Sequence, residues 1–189
     1  MFDLEAFIAS CRRLVGEPHA PRHVLELMRE VVVHPGEVAK AVPALAPKTG
    51  VLDAPLFRSP DLTVLNVSLR PGTLSIPHDH GMWAVIGIYE GEETNTFYRR
   101  TDDGLPAETN HRTVATGEAI LLGEDVVHAI ENPLATPTLG LHVYGGDLIA
   151  ATRSMWNPTT GREHPYDIPQ FYRWSGDLAK SRRAAAAAG

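Results

Sequence analysis

The first fifty residues repeat apolar positions with the period of an α-helix. Between residues 2 and 15 the apolar side chains fall on one helical face: Leu4, Phe7, Ile8, Cys11, Leu14 and Val15. A second helix begins near Pro21, which suits a first helical turn, and its apolar stripe is Val24, Leu27, Met28 and Val31. A short third helix fits the segment HPGEVAKAVPAL and ends at Pro43. The pattern predicts a helical N-terminal extension over residues 1–48.

From about residue 50 the pattern changes to that of β-strands. Short apolar or alternating segments follow one another at near-even spacing, and glycine, proline, asparagine or aspartate separates them. They read LTVLNVSL, TLSIPHDH, WAVIGIYE, TNTFYRRT, HRTVAT, AILL, DVVHAIE and TLGLHVYGG. No helical crossover interrupts them, so the strands should pair antiparallel. The pattern predicts an all-β core, a small sandwich or barrel, over residues 50–147.

The C-terminal segment, residues 148–189, is proline-rich at first and alanine-rich at the end. The stretch MWNPTTGREHPYDIPQFYRW predicts an ordered loop that wraps the barrel, and SRRAAAAAG predicts a frayed tail. Because 189 residues suit one hydrophobic core, residues 1–189 are expected to form a single domain.

Composition excludes several classes of protein. The formal net charge of −6 disfavours nucleic acid as a partner, and no apolar stretch is long enough for a membrane helix. The acidic, amphipathic N-terminus is unlike a secretory signal, and a single cysteine, Cys11, excludes an internal disulfide and a cysteine-based metal site. Cys11 lies on an apolar helix face and is predicted to be a buried thiol. We expect a cytoplasmic protein, either a monomer or a small homo-oligomer.

Two histidines stand one residue apart just before the apolar segment WAVIGIYE. On a strand, His78 and His80 would point to the same face because side chains alternate. His128 follows about fifty residues later in another strand, where a barrel can bring it alongside them. Neutral imidazole is the commonest metal ligand, so these three residues are candidate ligands. Taken alone, His-x-His fits a chance pair of surface or core histidines equally well.

The surroundings of these histidines resemble the two motifs of the cupin superfamily. The first motif reads Gly, five residues, His-x-His, three or four residues, Glu, six residues, Gly, and is matched here by Gly72, His78, His80 and Gly91. The second reads Gly, five residues, Pro-x-Gly, two residues, His, three residues, Asn, and is matched here by Gly117, His128 and Asn132. Gly123 and Asp125 stand where Pro and Gly are usual. The resemblance covers about residues 62–145 and implies a double-stranded β-helix, the jelly-roll barrel, with a metal site.

The carboxylate of the first cupin motif is missing from this chain. It would fall at Ala84 or Val85, and neither side chain can bind a metal. Three neutral histidines would leave the ion its full 2+ charge, which favours an anionic substrate, and a thiol that binds the ion loses its proton. A facial site with open positions suits Fe(II) and oxygen chemistry. Zinc is the competing metal, since three histidines and a water also form a hydrolytic site.

The segment GLHVYGGD places His142 and Tyr144 on one strand face. In this context the pair resembles part of the Ser-His-Tyr relay of the thiol dioxygenase family, the cysteine dioxygenase relatives among the cupins, which use three iron-binding histidines. Gly140 stands at the serine position of that relay. Ala84 stands where animal-type members have a cysteine that crosslinks to the tyrosine. No crosslink is therefore expected, as in bacterial members such as 3-mercaptopropionate dioxygenases. A buried His and Tyr bonded to backbone remains the alternative.

The same resemblance implies a residue that binds the substrate carboxylate upstream of the first metal strand. Cysteine-type members have an arginine there and the mercaptopropionate type a glutamine, and Arg58 in PLFRSPDL is the counterpart here. A guanidinium would hold a carboxylate through two hydrogen bonds. A solvated loop arginine is the alternative, and the other candidates for the clamp are Arg99, Arg100 and Arg153. Met82 and Trp83 directly follow the ligands and are expected to line the pocket, although a tryptophan there is also typical of a core.

The resemblance implies a non-haem Fe(II) thiol dioxygenase. Fe(II) would be held by His78, His80 and His128, and a small thiol acid would bind through its sulfur and leave as a sulfinate that carries both atoms of O2. Tyr144, oriented by His142, would donate a hydrogen bond to oxygen or to the substrate. The substrate stays open among cysteine, 3-mercaptopropionate, mercaptosuccinate and similar thiol acids.

Three other functions fit the same residues. One is a three-histidine cupin dioxygenase that cleaves a carbon–carbon bond, for example in a β-diketone. Another is a zinc hydrolase or isomerase, and the third is a non-enzymatic cupin that binds a small molecule. The remaining histidines are expected to be surface or structural residues: His19, His23, His34, His111 and His164.

Overall fold

The computed structural model describes residues 1–43, 55–101 and 106–188. The N-terminal helices are α1 (Leu4–Leu14), α2 (Ala20–Val32) and α3 (Pro35–Ala41). The strands are β1 (Phe57–Arg58), β2 (Thr63–Leu69), β3 (Ala84–Glu90), β4 (Glu92–Arg100), β5 (Pro106–Ala115), β6 (Ala119–Leu122), β7 (Val127–Glu131), β8 (Thr138–Tyr144), β9 (Ser154–Trp156) and β10 (Glu163–Pro165). A last helix, α4, spans Ile168–Ala188. None of the helices in these ranges is long and apolar enough to cross a membrane.

The N-terminal helices form where the apolar periodicity predicts them. The Asp3 side chain caps α1 by accepting a hydrogen bond from the backbone N–H of Ala6 at 3.1 Å. Helix α2 buries Met28 and Val32 directly against β3, because Gly87 leaves no Cβ between the helix and the strand. This contact fixes the helical extension on one face of the sheet.

Two antiparallel sheets enclose one interior, and β9 and β10 form a separate two-stranded sheet. One sheet has the order β1-β2-β8-β3-β6, and the other has the order β5-β4-β7. On β3, Ala84 and Ile86 point into the barrel, where they pack with Val114 of the other sheet. Val85 and Tyr89 alternate with them and point towards the helices. The fold is an all-β core of antiparallel sheets with N-terminal helices, as the sequence predicted.

The C-terminal segment differs from the wrapping loop and frayed tail expected from sequence. Strands β9 and β10 pair as an antiparallel hairpin, and α4 continues through the alanine-rich end. Pro169 lies in the first turn of the helix, where a missing N–H costs nothing, and alanine has the highest helix propensity. The helix is attached to the barrel because Ser175 accepts a hydrogen bond from the backbone of Ile76 at 3.2 Å and Arg182 pairs with Glu131 at 2.8 Å.

Candidate metal centre

The segment that carries His78 and His80 is extended without being a regular strand. It pairs only through isolated bridges, which join His78 to His128 of β7 on one side and to Met155 of β9 on the other. The backbone N–H of His78 donates to His128 at 2.9 Å, and the reverse bond has the same length. Pro77 cannot donate to a ladder, which is one reason why the regular strand predicted here does not form. The bridges nevertheless place the three histidines on adjacent backbones.

The rings of the three histidines meet inside the barrel. Their centroids are 4.7 Å apart for His78 and His128, 4.9 Å for His80 and His128, and 5.3 Å for His78 and His80. One ring nitrogen from each residue lies within 4.8 Å of the other two, and all three side chains are buried. The group could therefore hold one metal ion, with histidine as its only ligand type among the described residues.

Hydrogen bonds to the outer ring nitrogens orient two of these imidazoles. Nδ1 of His78 lies 3.1 Å from the carbonyl oxygen of Ile76, and Nδ1 of His128 lies 2.8 Å from the Oδ1 of Asn95. Both partners can only accept, so each Nδ1 carries the proton and each Nε2 keeps its lone pair. Nε2 of His128 lies 3.4 Å from Nε2 of His80. Such outer partners are typical of metal-ligating histidines, and the donor set fits a divalent ion.

Burial keeps the three imidazoles neutral. Desolvation lowers the pKa of His78 to about 4. It also lowers the pKa values of His80 and His128 well below the usual histidine value, and the neighbouring imidazoles lower them further. Neutral imidazole is the form that binds a metal.

We expect the metal-free protein to lose stability as the pH falls below 6.5. An unfolded histidine takes up a proton near pH 6.5, whereas folded His78 does so only near 4, so the unfolded state binds more protons between these values. Glu93 has the opposite effect, because burial raises its pKa from 4.5 to about 7 and its contribution is lost as the pH rises through that range. Urea unfolding of the metal-free Glu93→Gln variant isolates the histidine effect. A free energy of unfolding independent of pH below 6.5 would contradict the neutral cluster.

His142 and Tyr144 lie beside the cluster on β8. Nδ1 of His142 is 3.2 Å from the hydroxyl of Tyr144, and the Tyr144 ring centroid is 5.0 Å from that of His80. Both side chains are buried, and burial lowers the pKa of His142 to about 3 and raises that of Tyr144. The pair lies on the side of its strand that faces the histidine cluster, and its catalytic role stays a prediction.

The structure argues against Arg58 as the carboxylate clamp. Its guanidinium already holds a carboxylate, because Nε donates to Asp147 Oδ1 at 2.8 Å and Nη2 donates to Oδ2 at 2.9 Å. Arg58 lies on the short edge strand β1, and its side chain is 42% exposed. The N–H groups of Arg58 that would bind a substrate carboxylate are therefore already bonded to Asp147.

Arg153 is the guanidinium that lies next to the histidines. It directly precedes β9, whose bridge from Met155 to His78 brings Arg153 to the side of His80. Its positive charge contributes to the low pKa of both histidines. Arg153 is 8% exposed and lies over the ring of Tyr166, with Cζ 3.5 Å from the ring centroid.

The charge of Arg153 has no acidic partner in the part of the chain that the structure describes. None of the ion pairs among those residues includes it. The other candidate arginines differ, since Arg100 pairs with Asp79 at 2.6 Å and Arg99 is exposed. A buried cation without a counter-ion is costly, so the site favours an anion beside the histidines.

Met82 and Trp83 point in opposite directions. Met82 packs inside the barrel with Tyr144 and Leu148. Trp83 packs instead in the cluster under the N-terminal helices, against the backbone of Gly145, where a Cβ would collide with the indole ring. The prediction that Trp83 lines the pocket is corrected by the alternation of neighbouring side chains, which sends it to the helix side.

Two aromatic residues of the C-terminal segment cover the cluster and were missed by sequence reasoning. The ring of Phe171 on α4 lies 5.1 Å from that of His78, and the ring of Tyr166 lies 6.3 Å from it. The signal was the aromatic stretch YDIPQFYRW, which was interpreted only as a loop. Of the remaining histidines, His164 is half-buried against Trp174, and the other four are exposed: His19, His23, His34 and His111.

A buried acid on β4 was also missed. Glu93 is fully buried, its Oε1 accepts a hydrogen bond from the side-chain amide of Asn95 at 3.0 Å, and its Oε2 faces Nε2 of His142 at 3.8 Å. In the sequence these residues stand in EETNTFYRR, a polar strand whose alternation places Glu93 and Asn95 on the inner face.

Comparison with known proteins finds partial similarity to solved structures. No protein-family model matches the chain. A Klebsiella pneumoniae protein with a double-stranded β-helix domain matches with 14% identity over 62% of this chain and 87% of that chain, at a TM-score of 0.47. The Thermus thermophilus protein TT1209 matches with 22% identity over 57% and 93%, at 0.44. An oxalate decarboxylase from Lactobacillus farciminis, in complex with formate, matches with 16% identity over 47% and 25%, at 0.39.

Proposed function

We propose that this protein is an Fe(II)-dependent thiol dioxygenase that oxidises a small thiol carboxylic acid to its sulfinic acid. The observation that carries the proposal is the position of Arg153 beside a neutral three-histidine group, a buried guanidinium with no acidic partner among the described residues. The two features together suit a substrate with two anionic ends, a thiolate and a carboxylate.

The histidines would hold the metal through the nitrogens that face the interior. Nε2 is the free nitrogen of His78 and of His128, because Nδ1 of each is bonded to an oxygen outside the cluster. When bound there, Fe(II) supplies the redox chemistry by which a thiol and O2 combine, RSH + O2 giving RSO2H, with sulfur oxidised and oxygen reduced. The buried walls of the barrel keep bulk water away from this reaction.

Arg153 would bind the substrate carboxylate. A guanidinium presents two parallel N–H donors to a carboxylate, and the contact with the Tyr166 ring would limit its movement. With the carboxylate held there, the sulfur of a short thiol acid would be directed towards the histidines. The bound acid would also neutralise the buried charge of Arg153.

Tyr144 would donate a hydrogen bond at the reacting atoms, so Tyr144→Phe is expected to lower kcat. The loss should be about 100-fold, typical of a positioned proton donor, while the bound iron is unchanged. Oxygen uptake and metal analysis of the same sample test this. Tyr89→Phe is the matched control, because its hydroxyl donates to Asn66 at 2.8 Å on the helix side of the sheet. Full-rate turnover by Tyr144→Phe would remove Tyr144 from the mechanism.

Oxygen uptake by the iron-loaded protein tests the proposed function. The protein is loaded with Fe(II) without oxygen and is then offered cysteine, 3-mercaptopropionate, mercaptosuccinate, 2-aminoethanethiol and a β-diketone. We expect uptake with a thiol acid and a product heavier by two oxygen atoms. Uptake only with the diketone would indicate carbon–carbon cleavage. No uptake with any thiol would overturn the proposal, and zinc in the purified protein would then favour a hydrolytic site.

A further inference from the structure

Two buried polar atoms face each other without a hydrogen-bond partner. They are Oε2 of Glu93 on β4 and Nε2 of His142 on β8, and they are the buried side-chain atoms without such a partner in the described ranges. The two atoms are 3.8 Å apart, and the side chains are 0% and 3% exposed. Unpaired buried polar groups are costly, so a pair that faces each other at this distance requires an explanation.

A series of polar contacts runs from His128, a candidate metal ligand, to Tyr144. The two atoms without a partner are the one place in this series where no hydrogen bond is formed. Starting from the cluster, Nδ1 of His128 donates to Oδ1 of Asn95 at 2.8 Å, and Nδ2 of Asn95 donates to Oε1 of Glu93 at 3.0 Å. Beyond the gap, Nδ1 of His142 lies 3.2 Å from the hydroxyl of Tyr144. The first two bonds have a fixed direction, because an amide nitrogen only donates and an amide or carboxyl oxygen in these positions only accepts.

The protonation state of Glu93 decides the direction of the remaining contacts. If Glu93 were a carboxylate, Nε2 of His142 would carry the proton and donate to it, and Nδ1 would accept the hydroxyl proton of Tyr144. If Glu93 is the neutral acid, Oε2–H donates to Nε2, Nδ1–H donates to the Tyr144 oxygen, and the hydroxyl proton is free. Only the second arrangement orders every bond from His128 to Tyr144 in one direction.

Burial favours the second arrangement. No lysine or arginine forms an ion pair with Glu93 among the described residues, and desolvation raises its pKa to about 7. The titratable groups placed near it are His142 and Tyr144 on β8, and burial lowers the pKa of His142 to about 3 and raises that of Tyr144. Below pH 7 the neutral acid beside a neutral imidazole is therefore favoured over a carboxylate beside that imidazole.

We propose that Glu93 is a positioning residue that acts as a neutral acid: it donates to Nε2 of His142, fixes the Nδ1–H tautomer, and leaves the Tyr144 hydroxyl proton free for the substrate. Its effect on turnover rests on the proposed function, whereas the tautomer does not. Gly140 leaves room for this contact, because a Cβ there would lie 3.2 Å from Nε2 of His142 and 3.0 Å from Cδ1 of Ile88. The acid comes from the opposite sheet, since β4 and β8 belong to different sheets.

Nitrogen-15 NMR of the metal-free protein below pH 7 tests the tautomer directly. The ring-nitrogen shifts of His142 should show the proton on Nδ1 in the wild type and in Glu93→Gln, whose amide can donate in the same direction. Glu93→Met removes the donor and should lose this preference. Infrared difference spectra of wild type against Glu93→Gln should contain the carbonyl band of a protonated carboxylic acid. A proton on Nε2 in the wild type, or no acid band, would overturn the proposal.

Turnover provides the second readout. Glu93→Gln should keep kcat within about threefold of the wild type, whereas Glu93→Met should lose about 10-fold in kcat with little change in KM. Equal losses in both variants would show that the carboxylate itself is needed and would overturn the neutral acid. If Glu93→Met does not fold, wild type and Glu93→Gln still decide between the two states. If the wild type oxidises no thiol, the proposed function fails. The NMR measurement of the His142 tautomer then still tests whether Glu93 is a neutral hydrogen-bond donor.

Discussion

His128→Ala is expected to remove bound iron and to reduce thiol-dependent oxygen uptake to background. His128 bridges to His78 through the backbone, and its ring lies within 5 Å of both other histidine rings, so its removal leaves two ligands and an open side. Two neutral imidazoles bind a divalent ion far more weakly than three. Metal analysis after anaerobic loading and dialysis, together with oxygen uptake, measures both effects.

The control for this variant is His23→Ala, because His23 is exposed on α2, and it should keep both iron and activity. A second comparison is Asn95→Leu, which removes the acceptor of His128 Nδ1–H and leaves the three histidines in place. Loss of an outer partner of a metal ligand costs about 10-fold to 100-fold in metal affinity, so this variant should be intermediate. Full iron retention by His128→Ala would exclude His128 from the ligand set.

The barrel and the histidine group could be predicted from the sequence because their signals are local. The alternation of apolar and polar residues indicates the strands. The spacings from Gly72 to His80 and from Gly117 to Asn132 indicate, in each motif, a turn and the histidines that follow it. The backbone bridge between His78 and His128 then brings the two motifs together. The missing carboxylate was equally visible, since Ala84 is a single position within the first motif.

The carboxylate clamp could not be predicted because it depends on distant contacts. Arg58 and its partner Asp147 are 89 positions apart in the chain, so the sequence does not show that its guanidinium is occupied. Arg153 reaches the site through the pairing of β9 with the histidine segment, a pairing that no periodic pattern marks. The helix α4 was missed for another reason, since the proline-rich stretch before it was interpreted as a loop although Pro169 occupies the first helical turn.

The acid Glu93 was missed because its strand resembles a solvent-exposed one. In EETNTFYRR nearly every residue is polar, which usually indicates an outer strand. The two inward positions, Glu93 and Asn95, are polar for a different reason: each bonds to another buried polar group, and together they lead from His128 to His142. Buried polar residues with satisfied or paired partners are found where a site needs them, and a single sequence does not distinguish them from surface residues.

Arg153→Met is expected to lower kcat/KM for the thiol acid by about 100-fold, mainly through KM. A charge-assisted hydrogen bond contributes about 1.5–3 kcal/mol, and each 1.4 kcal/mol corresponds to a tenfold change in affinity. The loss should be specific for the carboxylate, so any turnover of 2-aminoethanethiol should be nearly unchanged or improved. Steady-state oxygen uptake with both thiols measures the difference. Arg153→Lys keeps the charge without the fork and should give an intermediate loss.

Arg58→Met is the matched control, because its guanidinium is already bonded to Asp147 and is partly exposed. It should keep KM for the thiol acid and change stability little, because exposed ion pairs contribute little. The two variants separate the alternatives, since each removes one guanidinium and replaces it with the same side chain. A raised KM in Arg58→Met with a normal KM in Arg153→Met would mean that Asp147 gives way to the substrate and that Arg58 is the clamp after all. A raised KM in Arg153→Met with a normal KM in Arg58→Met would show that Arg153 binds the substrate carboxylate. It would also fix the side from which the thiol approaches His80.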